Sequence, residues 1–168
     1  FDGFTWQANG KSVVFSQGAE LLYYRLEDRC LSRFDSKLLS GYEGFVTVKS
    51  GLTGFRISND GKKVFFSIAK PSSDFPNATA VTVEVWNGND KYLYPTGQEL
   101  ATRDTPKLAV WFPATGLVNV LSDDSLYRVR LTGSSNYVLL SNPYSYGLEP
   151  DYYEKVDYYT RDVQTGGE

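Results

Sequence analysis

Two short stretches hold the side chains best suited to recognition. Trp86, Asn87, Asp90, Tyr92 and Tyr94 crowd one of them, and Tyr144, Tyr146 and Tyr152 crowd the other. A flat ring with a polar edge can stack on a sugar or anchor a protein surface while its N–H or O–H hydrogen-bonds. These eight residues are the candidate binding or interface positions. The alternative for the tyrosines is packing between neighbouring sheets. Asn87, Asn89 and Asp90 also offer oxygen atoms at i, i+2 and i+3. A calcium loop takes about six to eight oxygen ligands, including a well-placed carboxylate. The stretch does not supply them, and no metal site is predicted.

Bond-breaking chemistry has far less to work with. The sequence contains no His, which removes the usual general base and the commonest metal ligand. It has no G-x-S-x-G elbow and no glycine loop of the phosphate-cradling kind. The acidic pairs Glu27–Asp28 and Asp123–Asp124 fall where turns are expected, and carboxylates there cap backbone amides. Cys30 is the sole cysteine, so neither an internal disulfide nor a cysteine metal cluster can form; it reads as a small, half-buried filler. No catalytic residue and no cofactor is predicted.

Composition narrows the class. The 168 residues suffice for one domain with a sizeable core. Aromatic residues make up 15%, and their preference for pleated, half-buried surfaces favours strands. A net charge of −3 leaves no basic field for a phosphate backbone, so nucleic acid is not an expected partner. No run of apolar residues is long enough for a membrane-spanning helix.

The elements that position these residues are repeated. Phe4-Thr5-Trp6-Gln7-Ala8-Asn9-Gly10-Lys11-Ser12-Val13-Val14-Phe15-Ser16 returns 51 residues later as Phe55-Arg56-Ile57-Ser58-Asn59-Asp60-Gly61-Lys62-Lys63-Val64-Phe65-Phe66-Ser67. A fainter third copy runs from Val129 to Ser141. Each copy has a short apolar strand, a polar turn (Asn9-Gly10, Asp60-Gly61, Ser134-Ser135) and a second alternating strand. Asn-Gly and Asp-Gly supply the positive-φ positions of tight hairpin turns. A second strand pair follows each hairpin, beginning at Glu20, Lys107 and Lys155. Asp60 should fix its turn through an Asx-type bond to the backbone. Units of four short strands that cannot bury their apolar faces alone describe propeller blades. The expected fold is therefore all-β: a partial β-propeller of about three four-stranded antiparallel blades. The blade-like units are 1–50, 51–124 and 125–168, with an insertion at 68–106. The chain has no Met and opens inside a repeat, and it reads as a segment of a longer protein.

Ser58-Asn59-Asp60-Gly61-Lys62-Lys63-Val64-Phe65-Phe66 resembles the S-P-D-G-K repeats of TolB-type propellers. The wider pattern is similar to the N-terminal propeller of the prolyl oligopeptidase and dipeptidyl peptidase family. There a V-x-V-W-x-x-x-D segment and a Gln-Leu stretch follow a hairpin; here these are Val83-Glu84-Val85-Trp86-Asn87-Gly88-Asn89-Asp90 and Gln98-Glu99-Leu100. The resemblance implies a non-catalytic propeller that gates substrate access in a bacterial, exported serine peptidase. It implies a periplasmic or extracellular location. It also implies an α/β-hydrolase domain in the same parent chain as partner, carrying the triad this chain lacks. Asp151-Tyr152-Tyr153-Glu154-Lys155 departs from the paired Glu residues of the aminopeptidase branch, so no substrate-binding residue is carried over. A TolB-like protein-binding scaffold, with a peptide or protein ligand, and a glycan-binding propeller are the other readings. Strand edges left open by an incomplete ring predict an edge-mediated dimer.

Overall fold

A computed structural model describes residues 3–17, 20–34, 39–42, 46–48, 54–70, 105–142, 145–146 and 155–167. Among them there is no helix. Twelve strands form three antiparallel sheets.

The first sheet is an up-and-down meander of β1 (Gly3–Trp6), β2 (Ser12–Gln17), β3 (Glu20–Arg25) and β4 (Cys30–Phe34). Its register pairs Phe4 with Phe15, Val14 with Tyr23, and Leu21 with Phe34. The second sheet is built on β7 (Val64–Ala69), β8 (Lys107–Trp111) and β9 (Val118–Val120). Along the free side of β7 lie two short strands in tandem, β6 (Arg56–Ile57) and β5 (Val46–Val48). Five strands thus fill four places. β5 lies within the first period of the repeat, yet it hydrogen-bonds into the second sheet. The third sheet has β10 (Arg128–Leu131), β11 (Tyr137–Ser141) and β12 (Tyr158–Asp162).

The three hairpins turn alike. Gly10 and Gly61 have φ of 72° and 70°, and Ser135 takes the same left-handed place with φ 57°. The missing glycine of the third copy therefore does not change the turn; Ser135 bears the strain of roughly 1–2 kcal/mol that a Cβ brings there. Asn9 and Asp60 both accept from the backbone N–H two residues on, at Lys11 (3.0 Å) and Lys62 (3.1 Å). The Asx-type bond expected at Asp60 is present, and Asn9 makes the same bond.

Two apolar layers hold the sheets together. Val14, Leu21, Tyr23 and Phe34 of the first sheet pack on Val64, Phe66 and Trp111 of the second. The Trp111 ring stands edge-on to Tyr23 at 6.5 Å and lies 6.0 Å from Phe34. Phe65, Leu108 and Val110, on the opposite face of the second sheet, pack on Val129, Val138 and Leu140 of the third. The middle sheet is covered on both faces. For that reason β7 and β8 read as continuous apolar runs, while β2 alternates. Cys30 departs from expectation: it is exposed, because it opens β4 directly after a turn instead of filling a core position.

Candidate functional site

In an antiparallel meander, alternate connections lie at the same end of the sheet. The β1–β2, β3–β4, β6–β7, β8–β9 and β10–β11 turns therefore share one rim. Side chains tie these turns across the sheets. Gln7 is buried to 5% exposure; its Nε2 donates to the carbonyls of Ser58 (3.3 Å) and Asn59 (2.8 Å), and its Oε1 accepts from the Ser12 hydroxyl (2.8 Å). The Tyr23 hydroxyl donates to the Gly61 carbonyl at 2.7 Å. Between the second and third sheets, Lys63 Nζ donates to Asn136 Oδ1 at 2.7 Å, and Asn119 Nδ2 donates to the carbonyls of Val163 (3.1 Å) and Gln164 (2.8 Å). Beyond the other end of β9, Arg161 reaches back from β12 to the Leu121 carbonyl and to Asp123.

Over the first of these joints lies a cleft of about 350 Å³. Gln7 and Tyr23 are in its lining. Its charged groups are Lys11, Arg25 and Lys62 of one sign and Glu27 and Asp60 of the other. Arg25 is already paired with Asp28, which also accepts from the Cys30 N–H. The hydrogen bond from Arg25, assisted by the Cys30 N–H, holds the Asp28 carboxyl below the ordinary carboxylate range despite some burial. Burial pushes Asp60 up. The Ser58 hydroxyl, the Lys62 amide and the charges of Lys63 and Lys62 together outweigh this and hold it below the ordinary range. The cleft thus presents charges of both signs. It offers no activated nucleophile and no acid–base pair.

The acidic pairs have structural work elsewhere. Asp123 accepts from the N–H groups of Ser125 and Leu126, both at 2.8 Å, and Asp124 pairs with Lys107. Among the described residues no group of three or more metal-ligating side chains converges.

Of the recognition residues expected from sequence, Tyr146 is described. It is half exposed, and its hydroxyl donates to Asp157 Oδ2 at 2.6 Å, a bond that raises the tyrosine above its ordinary pKa. It is not among the residues lining the cleft. Trp86, Asn87, Asp90, Tyr92, Tyr94, Tyr144 and Tyr152 lie outside the described residues. The connections that carry them leave after Ala69 of β7 and after Ser141 of β11 and return at β8 and β12. Both therefore attach at the rim opposite the tied turns. The cleft residues escaped the sequence reading because they are ordinary strand and turn residues that come from both sheets and from separate turns. Only the equivalence of Asn9 with Asp60 and of Gly10 with Gly61 hinted that they would meet.

No known protein family and no curated protein matches the chain. Solved structures do. Dipeptidyl peptidase 4 of Porphyromonas gingivalis is similar with a TM-score of 0.55 and 10% identity, over 98% of this chain and 24% of that one. Tricorn protease is similar with a TM-score of 0.43 and 12% identity, over 92% of this chain and 12% of that one. The chain thus spans a quarter or less of either. Both proteins have propeller domains, and the dipeptidyl peptidase likeness is one of fold.

Proposed function

We propose that this chain is a non-catalytic propeller segment that gates substrate access in an exported serine peptidase of the prolyl oligopeptidase type. The observation that carries this reading is the asymmetry of the two rims. One rim is tied by buried and partly buried side-chain bonds between successive turns, from Gln7 to Ser58 and Asn59 and from Lys63 to Asn136. The other receives both long connections, with the aromatic residues Trp86, Tyr92, Tyr94, Tyr144, Tyr146 and Tyr152 among them. A gate needs such a division: a stiff frame, and a loop-bearing end that meets a partner domain and its peptide. The fold shared with dipeptidyl peptidase 4 agrees with this. The sequence contains no His, and in this reading the chemistry belongs to an α/β-hydrolase domain of the same parent protein.

The test is the coding sequence around residues 1 and 168, followed by kinetics of the whole protein. A downstream G-x-S-x-G elbow with a later His is the expected finding. Trp86→Ala and Tyr92→Ala in that protein should then change kcat/KM for long peptides more than for dipeptide substrates. Further blades with no hydrolase domain would overturn the proposal and leave a binding scaffold.

A further inference from the structure

The first sheet has a second face, turned away from the joint with the middle sheet. Strand pairing places Phe4 beside Phe15, Trp6 beside Val13, and Tyr24 beside Leu31 on this face. Phe4, Trp6 and Leu31 are 68%, 52% and 55% exposed. An apolar sheet face this open marks an interface.

The internal repeat says what kind of surface covers it. Val13 and Phe15 stand where the other copies have Val64 and Phe66, or Val138 and Leu140. All four of those are fully buried against the preceding sheet. In each case the covering surface is the opposite face of a sheet: Val14 and Leu21 in the first joint, Phe65 and Leu108 in the second. The third sheet carries an outward face of the same make. Leu139 takes the place of Val14 and Phe65, and Tyr158 takes the place of Leu21 and Leu108. The register confirms the equivalence, since Tyr158 pairs with Ser141 as Leu21 pairs with Ser16 and Leu108 with Ser67. Tyr158 is 63% exposed, and Arg130 borders the shallow groove it shares with Leu139.

We infer that a second copy of this chain docks by its third-sheet face onto the first-sheet face, making head-to-tail the joint that each chain already makes twice within itself. The chemistry is complementary. One face is aromatic, and the other adds the Arg130 guanidinium, which gains over the face of Trp6 or Tyr24 what an aliphatic partner would not give. The two patches differ, so the contact is heterologous and repeats until a ring closes. It needs no peptidase partner, and it concerns the two faces that these 168 residues leave uncovered, which further blades of a parent propeller would take instead.

Sedimentation velocity of the full chain tests it. The wild type should gain mass with concentration. Trp6→Glu spoils only the receiving face and Tyr158→Glu only the inserting face, so each variant alone should sediment as a monomer. Mixed in equal amounts they should form one complex of about twice the monomer mass and nothing larger, because one intact pair of faces remains. Phe4→Glu and Arg130→Glu, also at exposed positions, serve as a second pair if circular dichroism shows either first variant to be misfolded. A wild type that stays monomeric would assign the face to a different partner and overturn the inference. So would association that survives both substitutions, or a mixture that fails to complex.

Discussion

Gly10 and Gly61 hold the same place in their hairpins with nearly the same φ, yet they are not interchangeable. A Cβ at Gly10 meets nothing within 4 Å, whereas at Gly61 it would come to 3.2 Å from Gln7 Nε2 and 3.3 Å from the Tyr23 hydroxyl. Left-handed strain of about 1–2 kcal/mol is common to both. Disturbance of buried hydrogen bonds, about 1–3 kcal/mol, belongs to Gly61 alone. Gly61→Ala should therefore lower the urea midpoint clearly more than Gly10→Ala; equal losses would mean that Gln7 and Tyr23 shift without cost. Asp60 gives a pH signature. Its folded pKa lies below the ordinary 3.8, so in acid the unfolded chain takes up the proton first. The stability it contributes is complete above that ordinary value and is lost as pH falls through the folded one. Asp123 and Asp162 shift the same way: burial pushes Asp123 up but the Leu126 and Ser125 amides and Arg161 outweigh it, and Asp162 is lowered chiefly by the Thr165 amide. Thermal midpoints should fall below about pH 4, and Asp60→Asn should flatten part of that fall. Residue type announced the Asx bond of Asp60. It did not announce that Ser135 would accept the left-handed place of Gly10 and Gly61, because that follows from the strands on either side.

At the scale of elements, the first joint rests on Trp111, fully enclosed between Tyr23, Phe34 and its own sheet. Trp111→Ala should cost about 3–5 kcal/mol in a denaturant titration. A much smaller loss would mean that the joint re-collapses around the gap. The hairpins and their partners were legible as elements because turn chemistry and alternation agree there. The alternation of β2 showed one covered face, but did not reveal which of its two apolar sets faces the joint. Val13 and Phe15, aligned with core residues of the other copies, point away, and Val14 points in. Spacing could not place Val46–Val48 in the second sheet either, since it precedes the second copy of the repeat and its hydrogen bonds go to β7, about 20 residues on, past the β6–β7 turn.

The whole molecule is a row of sheets in which the middle one touches both neighbours through separate apolar layers. Stability of such an array approximates a sum of unit and interface contributions. Leu140→Ala lies only in the second layer. It should cost about 2–5 kcal/mol and speed amide hydrogen exchange in β10–β12 well before β1–β4; uniform loss of protection would show instead that the row unfolds as one unit. The stacking also explains what the sequence concealed. The cleft exists because Lys11, Arg25 and Lys62, unremarkable apart, are brought to one rim by sheets that pack in series. The ties along that rim carry a further consequence. Gln7, Tyr23 and Asn119 all donate to main-chain carbonyls of the neighbouring sheet or of the turn joined to it. A carbonyl is present whatever residue bears it, so the recipient can mutate freely while the donor keeps its grip. Duplicated units joined this way can drift apart in lineage after lineage, shedding nearly all shared letters while still being able to assemble side by side.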